Sequence, residues 1–247
     1  MTAMTMPLPR PGRLTLVGTV HRDSHGEERL ARLLRELAPD ELTLEMSPTS
    51  LRYRQERGHL MLQRMERILA RLVTPERDRA SLESHPALSD IRNLLALPFE
   101  YRAAAAYAQQ HGVPLSLIDL PEIARRKLQQ VENELITLPN LRALLAHPAL
   151  PPAAETYHSA AALVLHQPPA SVRAAFLAAR RGDEGIGPRD REMAATIRHH
   201  LAAAPQRTLV HIGGWVHLID DPSGETLFSR LSDLAPQRLL LGGSSVP

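Results

Sequence analysis

Short apolar runs alternate with longer stretches of helical periodicity along most of this chain. The strand-like runs occupy residues 14–18, 41–46, 114–119, 208–213 and 237–241. Between them, apolar residues recur at the three- and four-residue spacing of helices that bury one face. Strands that alternate with helices predict an α/β fold with a central, mostly parallel sheet flanked by helices.

Several helix starts are marked by residues that suit the first turn. Ser24 and Glu27 have the spacing of a capping box, which predicts a helix beginning there. Periodic patterns predict further helices over residues 50–73 and 98–112, and Pro188 suits the first position of another. The first strand, helix and second strand together form a βαβ unit, whose strands run parallel in nearly all proteins.

The chain reads as one domain over residues 1–247. Residues 1–12 are a Pro-rich tail, and residues 74–97, broken by prolines, are expected to form a loop with a short helix or a lid. Residues 121–182 are rich in Ala and Leu and are punctuated by prolines. This pattern predicts a helical insertion that caps the sheet.

Composition restricts the chemistry. The 247 residues are 43% hydrophobic and include no cysteine, so any metal must be held by His, Asp and Glu. A net charge of +2 and 3% aromatic residues do not favour nucleic acid as a partner. No apolar run approaches the roughly 18 residues of a membrane span, so we expect a soluble, cytoplasmic protein with no membrane partner.

A four-residue pattern occurs twice, near the two ends of the sequence. Gly18 and His21 frame the first copy, and Gly214 and His217 frame the second. Each copy follows a predicted strand, and the carboxyl ends of parallel strands are where open α/β sheets bind ligands. The glycines would allow close approach of another group, so the two histidines are candidate site residues.

Acidic residues also stand at predicted strand ends. Glu45 ends the second strand and Asp119 ends the third. Two imidazoles and one or two carboxylates suit a divalent metal such as Zn, Mn, Co or Fe, with room left for an activated water. Glu45 is therefore predicted to be a third ligand or the general base, while Asp119 is equally able to cap the next helix.

Arg189 is unusual because a cation in the first turn of a helix opposes the helix dipole. Two explanations are open: the side chain faces a substrate anion or oxyanion, or it forms a surface ion pair with Asp183 or Glu184. Supporting roles around the ligands are assigned to Glu100, Asp119, Asp190 and His25. Glu100 could instead complement a helix N-terminus, and His199, His200 and His211 are expected to be structural.

Four motifs in order, GTVH (18–21), PDELTLEM (39–46), GPRDREM (187–193) and GGWVH (213–217), resemble those of the TraB/Tiki superfamily. The segment from Glu100 to Asp119 is similar to that family's central helix and strand. The resemblance implies a fold related to the erythromycin-esterase and ChaN-like proteins and a metal-dependent peptidase activity. It places the site at His21, Glu45, Arg189 and His217. The membrane tether of the animal members has no counterpart in this sequence.

The expected function is therefore metal-dependent hydrolysis of a peptide or amide bond, with Mn, Co or Zn as the cofactor. Two alternatives stay open. One is a module that binds a small molecule, a peptide or haem without turnover, and the other is a metal-free, esterase-like hydrolase with a histidine base. The sequence contains no Gly-x-Ser-x-Gly elbow, phosphate loop or His-Glu-x-x-His helix. It leaves the oligomeric state open, a homodimer included.

Overall fold

A computed structural model describes residues 12–21, 23–74, 78–147, 153–166, 168–182, 185–243 and 245–246. All but one residue of the predicted tail 1–12, and the two acids at positions 183 and 184, lie outside the described residues. The strands are β1 (Leu14–Thr19), β2 (Glu41–Leu44), β3 (Leu115–Leu117), β4 (Leu209–Gly214), β5 (Gln237–Leu240) and β6 (Ser245–Val246).

The first five strands form an all-parallel sheet in the order β3, β2, β4, β1, β5, and the two-residue β6 pairs antiparallel with β5 at the edge. The predicted α/β class is confirmed. Residues 14–19 pair with residues 209–214, and residues 41–44 pair with residues 209–212. Strand β4 therefore lies between the two strands of the N-terminal βαβ unit, which are parallel but not neighbours.

Helices cover both faces of the sheet and form a separate lobe. The longer helices are α1 (Gly26–Leu37), α2 (Pro48–Ala70), α3 (Arg79–Glu83), α4 (Pro86–Leu95), α5 (Phe99–His111), α6 (Pro121–Gln130), α7 (Leu138–Ala146), α8 (Ala153–Leu165), α9 (Ala170–Ala178), α10 (Pro188–Ala203) and α11 (Leu227–Arg230). A π-helical turn, Val131–Leu135, joins α6 to α7, and a 3₁₀ turn, Trp215–Leu218, follows β4.

Alternation along the strands sends successive side chains to opposite faces. On one face, Val17, Val210 and Ile212 pack against α1 and α5. On the other, Leu16 and Leu209 pack against α8, α9, α10 and α11. A third apolar core joins α2, α3, α4 and α7 with the π-helical turn, and α6 packs on α2. We call these five helices and the turn the helical lobe.

Three local expectations change in the structure. The capping box at Ser24 and Glu27 does not form, because α1 begins at Gly26 and His25 precedes it without a side-chain cap. Asp23 accepts the His25 N–H at 3.0 Å. The described helices of residues 121–182 also pack in two places, with α6 and α7 in the helical lobe and α8 and α9 on the sheet. Residues 79–83 and 86–95 form two helices, more than the one short helix expected within residues 74–97. None of the described helices is long and apolar enough to cross a membrane.

Candidate functional site

Three neighbouring strand ends bring the predicted site residues together. His21 follows β1, Glu45 follows β2, and the 3₁₀ turn after β4 carries His217. Because β4 is the central strand of the three, its carboxyl end lies between the other two. The sheet order thus places the ends that carry Glu45 and His21 on either side of the β4 end, which leads to His217.

Glu45 is the centre of the cluster. Its Oε2 atom accepts the Gly214 N–H at 2.6 Å, and its Oε1 atom lies 3.1 Å from His217 Nε2 and also accepts a hydrogen bond from Arg189. Its side chain is 6% exposed. Desolvation raises the pKa of this carboxyl, but the charges of His217 and Arg189 outweigh it and hold the pKa of Glu45 well below its usual range.

His217 is fixed from its other ring nitrogen. Its Nδ1 lies 2.8 Å from Asp190 Oδ1, which also accepts the Leu227 N–H at 2.6 Å. Asp190 is fully buried in the first turn of α10, a position that favours an acid. Desolvation lowers the pKa of His217, but the charges of Glu45 and Asp190 dominate and raise it to about 10.

His21 has a matching support on the opposite side. Its Nδ1 lies 2.7 Å from Glu100 Oε1, and the Thr19 hydroxyl donates to the same oxygen at 2.9 Å. Glu100 sits in the first turn of α5 and is 4% exposed, whereas the His21 side chain is 60% exposed. Desolvation lowers the pKa of His21, but the hydrogen bond to Glu100 and the charges of Glu100 and Glu45 leave the pKa raised.

Glycines allow these groups to approach the backbone closely. A Cβ atom at Gly214 would lie 3.0 Å from His21 Nε2 and 3.4 Å from Glu45 Oε2, so these two atoms flank one point above the strand end. A Cβ at Gly18 would instead lie 2.9 Å from the Trp215 Cα. Gly214 therefore makes room for the site itself, whereas Gly18 makes room for the turn that carries the second histidine.

The Arg189 guanidinium forms ion pairs with two carboxylates of the protein. It donates to Asp119 through Nε at 2.8 Å and Nη2 at 2.9 Å, and it also donates to Glu45. Its side chain is 15% exposed. In this arrangement the guanidinium orients Glu45 through an ion pair, and the alternative partners Asp183 and Glu184 lie outside the described residues.

Of the predicted supporting residues, Asp119 contacts the cluster through Arg189, whereas His25 does not reach it. Asp119 is not the N-cap residue of α6, because Leu120 occupies the N-cap position. The Asp119 Oδ1 atom accepts the Leu120 N–H at 2.8 Å and also accepts a hydrogen bond from Arg189. The structure does not bring His25 into the cluster. His25 is exposed before α1, where its Nδ1 lies 3.2 Å from Ser24 Oγ.

His211 lies close to Glu45, although a structural role was expected for it from the sequence. The side chain is completely buried, and its Nδ1 lies 3.0 Å from Thr43 Oγ1. Its Nε2 has no hydrogen-bond partner among the described residues, and both this atom and Glu45 Oε2 lie 2.9 Å from the point where a Cβ at Gly213 would stand. Burial lowers the pKa of His211 to about 4, so the ring is neutral. Alternation along β4, which puts residues 211 and 213 on one face, is the signal that could have revealed it.

A cavity of about 740 Å³ opens from this edge of the sheet. Its floor includes His21, Glu45, Glu100 and Gly213, and its opposite wall is formed by α2, α4 and α6 of the helical lobe. The volume lies in the range of about 300–1,000 Å³ that is typical of small-molecule sites. Residues 121–130 of the predicted insertion thus line the site.

The donor set can be tested against a divalent metal. Within the described part of the chain, no group of three or more His, Asp or Glu side chains is arranged to hold a metal ion as it stands. The side chains nevertheless have the chemistry of metal ligands. The Nδ1 atoms of His21 and His217 each lie within hydrogen-bond distance of a carboxylate oxygen, the arrangement that commonly orients metal-binding histidines. The 3.1 Å between His217 Nε2 and Glu45 Oε1 is also a span that two ligands about 2.0–2.2 Å from one ion can have.

Comparison with family models, curated proteins and solved structures finds no match to this chain. An α/β fold of this kind supports many unrelated reactions. The functional assignment therefore depends on the side chains at the carboxyl edge of the sheet.

Proposed function

We propose that this protein is a metal-dependent hydrolase of amide or peptide bonds, similar to the TraB/Tiki superfamily. One observation carries the proposal: two imidazoles, each held at Nδ1 by a buried carboxylate, lie near different oxygens of Glu45, and His21 and Glu45 line a cavity. His21, His217 and Glu45 are the residues that would hold the metal.

The charge of the cluster supports this proposal. Four carboxylates, Glu45, Glu100, Asp119 and Asp190, surround a single guanidinium, that of Arg189. With both imidazoles neutral, the formal charge is strongly negative in a mostly buried space, which is costly. Either two imidazolium protons or one divalent cation removes most of that excess.

The roles of the residues follow from their contacts. A bound metal would lower the pKa of its water enough to supply hydroxide near neutral pH. Asp190 and Glu100 fix which ring nitrogen of each histidine carries a proton, so that the Nε2 atoms are the ones left to act. Arg189 and the Gly214 N–H hold the two oxygens of Glu45 in place and keep the carboxylate ionised.

A second candidate, metal-free hydrolysis, is favoured by the exposure of His21. Its Nδ1 is held by Glu100, as a carboxylate holds the histidine of a catalytic triad, and the ring lines the cavity. In this reaction, His21 Nε2 would take a proton from the attacking water. Hydrolysis that persists in the presence of a chelator would favour this candidate over the metal-dependent one.

The test begins with metal content. The protein is purified without chelator, loaded separately with Mn²⁺, Co²⁺ or Zn²⁺, and measured by mass spectrometry of the bound metal. We expect about one ion per chain in the wild type and a large loss in the His21→Ala, His217→Ala double variant. His199→Ala, which changes an exposed histidine of α10, is the matched control and should keep the metal.

Hydrolysis is then followed by release of free amines from a mixture of N-acyl amino acids and short peptides. Negligible metal in every variant and under every loading condition would refute metal dependence. Substrate that stays intact but bound after long incubation with loaded protein would point instead to a binding or signalling module.

A further inference from the structure

Most charged side chains that line the cavity are paired within the protein. Arg102 donates to Glu27 at 2.6 Å, and Asp23 accepts from Arg29 at 2.8 Å. Arg189 and Glu100 belong to the site described above. The charged groups in these contacts therefore already have partners of opposite charge within the protein.

Arg54 differs from these residues. This side chain of α2 is partly buried, and its hydrogen bonds go only to neutral oxygens: Nε donates to the Leu94 carbonyl at 3.1 Å, and Nη1 donates to the Ser50 carbonyl at 3.3 Å and to the Ser50 hydroxyl. Among the described residues, no carboxylate contacts the guanidinium and Nη2 has no hydrogen-bond partner. Desolvation accordingly lowers the pKa of Arg54, and the negative charge of Glu100 offsets this only in part.

A buried or half-buried cation without a counter-charge is costly, and a ligand anion is one way to remove that cost. Guanidinium groups bind carboxylates and phosphates through charge-assisted hydrogen bonds, which are about twice as strong as neutral ones. The three bonds to α2 and α4 hold the guanidinium rigidly at the cavity wall. A fixed cation of this kind is preorganised to bind an anion.

We propose that the cavity selects small substrates that carry a carboxylate, which Arg54 binds while the bond to be hydrolysed lies at Glu45. Leu97, Phe99 and Leu128 line the same cavity and can cover an apolar body. A cavity of about 740 Å³ suits an N-acyl amino acid or a very short peptide rather than a long polypeptide. The assignment of a reacting bond rests on the proposed function, whereas recognition of the carboxylate does not.

Binding is measured by calorimetry in buffer with a chelator, so that neither metal nor turnover enters the result. The probes are hippurate, benzoate and N-acetylleucine, each compared with its neutral primary amide, and inorganic phosphate. The variants are Arg54→Gln and Arg54→Lys, with Arg102→Gln as the control at a cavity-lining arginine that is already paired.

We expect the wild type to bind at least one carboxylate about ten-fold or more tightly than its amide, the effect of one charge-assisted contact. Arg54→Gln should abolish this preference and keep the affinity for the amide, while Arg54→Lys and Arg102→Gln should retain it. The amide arm and the melting temperature show whether the variant is still folded.

Equal affinity for acid and amide, a preference that survives Arg54→Gln, or no binding of any carboxylate would overturn the proposal. Phosphate that binds in an Arg54-dependent way while the carboxylates do not would overturn the assignment of the class. A carboxylate preference in a protein that hydrolyses nothing would refute only the proposed function. Hydrolysis without the preference would refute only the role of Arg54.

Discussion

The contact between Asp190 and His217 gives a prediction whose size can be worked from the structure. Asp190 Oδ1 accepts from the imidazole at 2.8 Å and from the Leu227 N–H at 2.6 Å, in a fully buried position. Hydrogen bonds to charged groups contribute about 1.5–3 kcal/mol each, roughly twice the contribution of neutral ones. Asp190→Asn keeps an acceptor oxygen but removes the charge, so about half of each contribution is lost. We expect the free energy of unfolding to fall by about 1.5–3 kcal/mol.

The assay is urea-induced unfolding followed by circular dichroism, with a chelator present, near pH 6. Glu100→Gln makes the equivalent change beside His21. It should lower the free energy of unfolding by less than Asp190→Asn does, because the His21 side chain is 60% exposed to water. Asp233→Asn removes an exposed partner of Arg198 and should leave the unfolding midpoint unchanged. A loss below about 0.5 kcal/mol for Asp190→Asn, the usual scatter of surface changes, would refute this account.

Asp190→Asn also tests the metal proposal by a separate measurement. A carboxylate that orients a metal-binding histidine typically changes metal affinity by about 10- to 100-fold when it is replaced. We expect a loss of that size for Mn²⁺, Co²⁺ or Zn²⁺, measured by titration calorimetry. Unchanged affinity in a folded variant would mean that His217 does not hold the ion.

Other predictions concern the glycines and the buried histidine. Gly214→Ala should weaken metal binding but change the free energy of unfolding by less than about 0.5 kcal/mol, because its methyl group meets an exposed ring that can move. Gly18→Ala should lower the free energy of unfolding by about 1–3 kcal/mol, because the added methyl group would lie 2.9 Å from the backbone of Trp215. Equal unfolding midpoints for Gly18→Ala and Gly214→Ala would contradict this difference. The pKa of His211 is lowered from 6.5 to about 4, so the unfolded chain binds a proton that the folded chain does not as the pH falls from about 6.5 towards 4. The wild type should therefore lose more unfolding free energy between about pH 7 and pH 5 than His211→Asn, in urea titrations at both values; an equal loss would show that the buried ring is not responsible.

The strands of the fold could be predicted from the sequence because each is a short apolar run bounded by polar or turn residues. Residues 14–18 and 208–213 are observed as β1 and β4 within one residue at each end. Their order in the sheet could not be predicted in the same way. Pairing between residues 14 and 209 depends on contacts between distant parts of the chain, which local patterns do not encode.

The candidate site was predictable to a similar extent. Strand ends identified His21, Glu45 and His217, and in the structure Glu45 lies 3.1 Å from His217 and, together with His21, beside Gly214. The role of Arg189 was not predictable, because its partner Asp119 comes from a different strand end and its burial depends on the packing of α10. His211 was missed because a histidine inside an apolar strand has the same appearance whether or not its ring nitrogen has a partner.

The central position of β4 has a consequence for the synthesis of this protein. Thr19 and Gly213, whose contact helps to close the floor of the cavity, are 194 residues apart in sequence. A nascent chain that has emerged only as far as α9 has β1 and β2 but not the strand that joins them, so both strands expose unpaired edges that favour association with other chains. The same gap keeps His21 and Glu45 apart. The contacts of Glu45 with Gly214 and His217 can therefore form only after β4 and the turn that follows it have been synthesised.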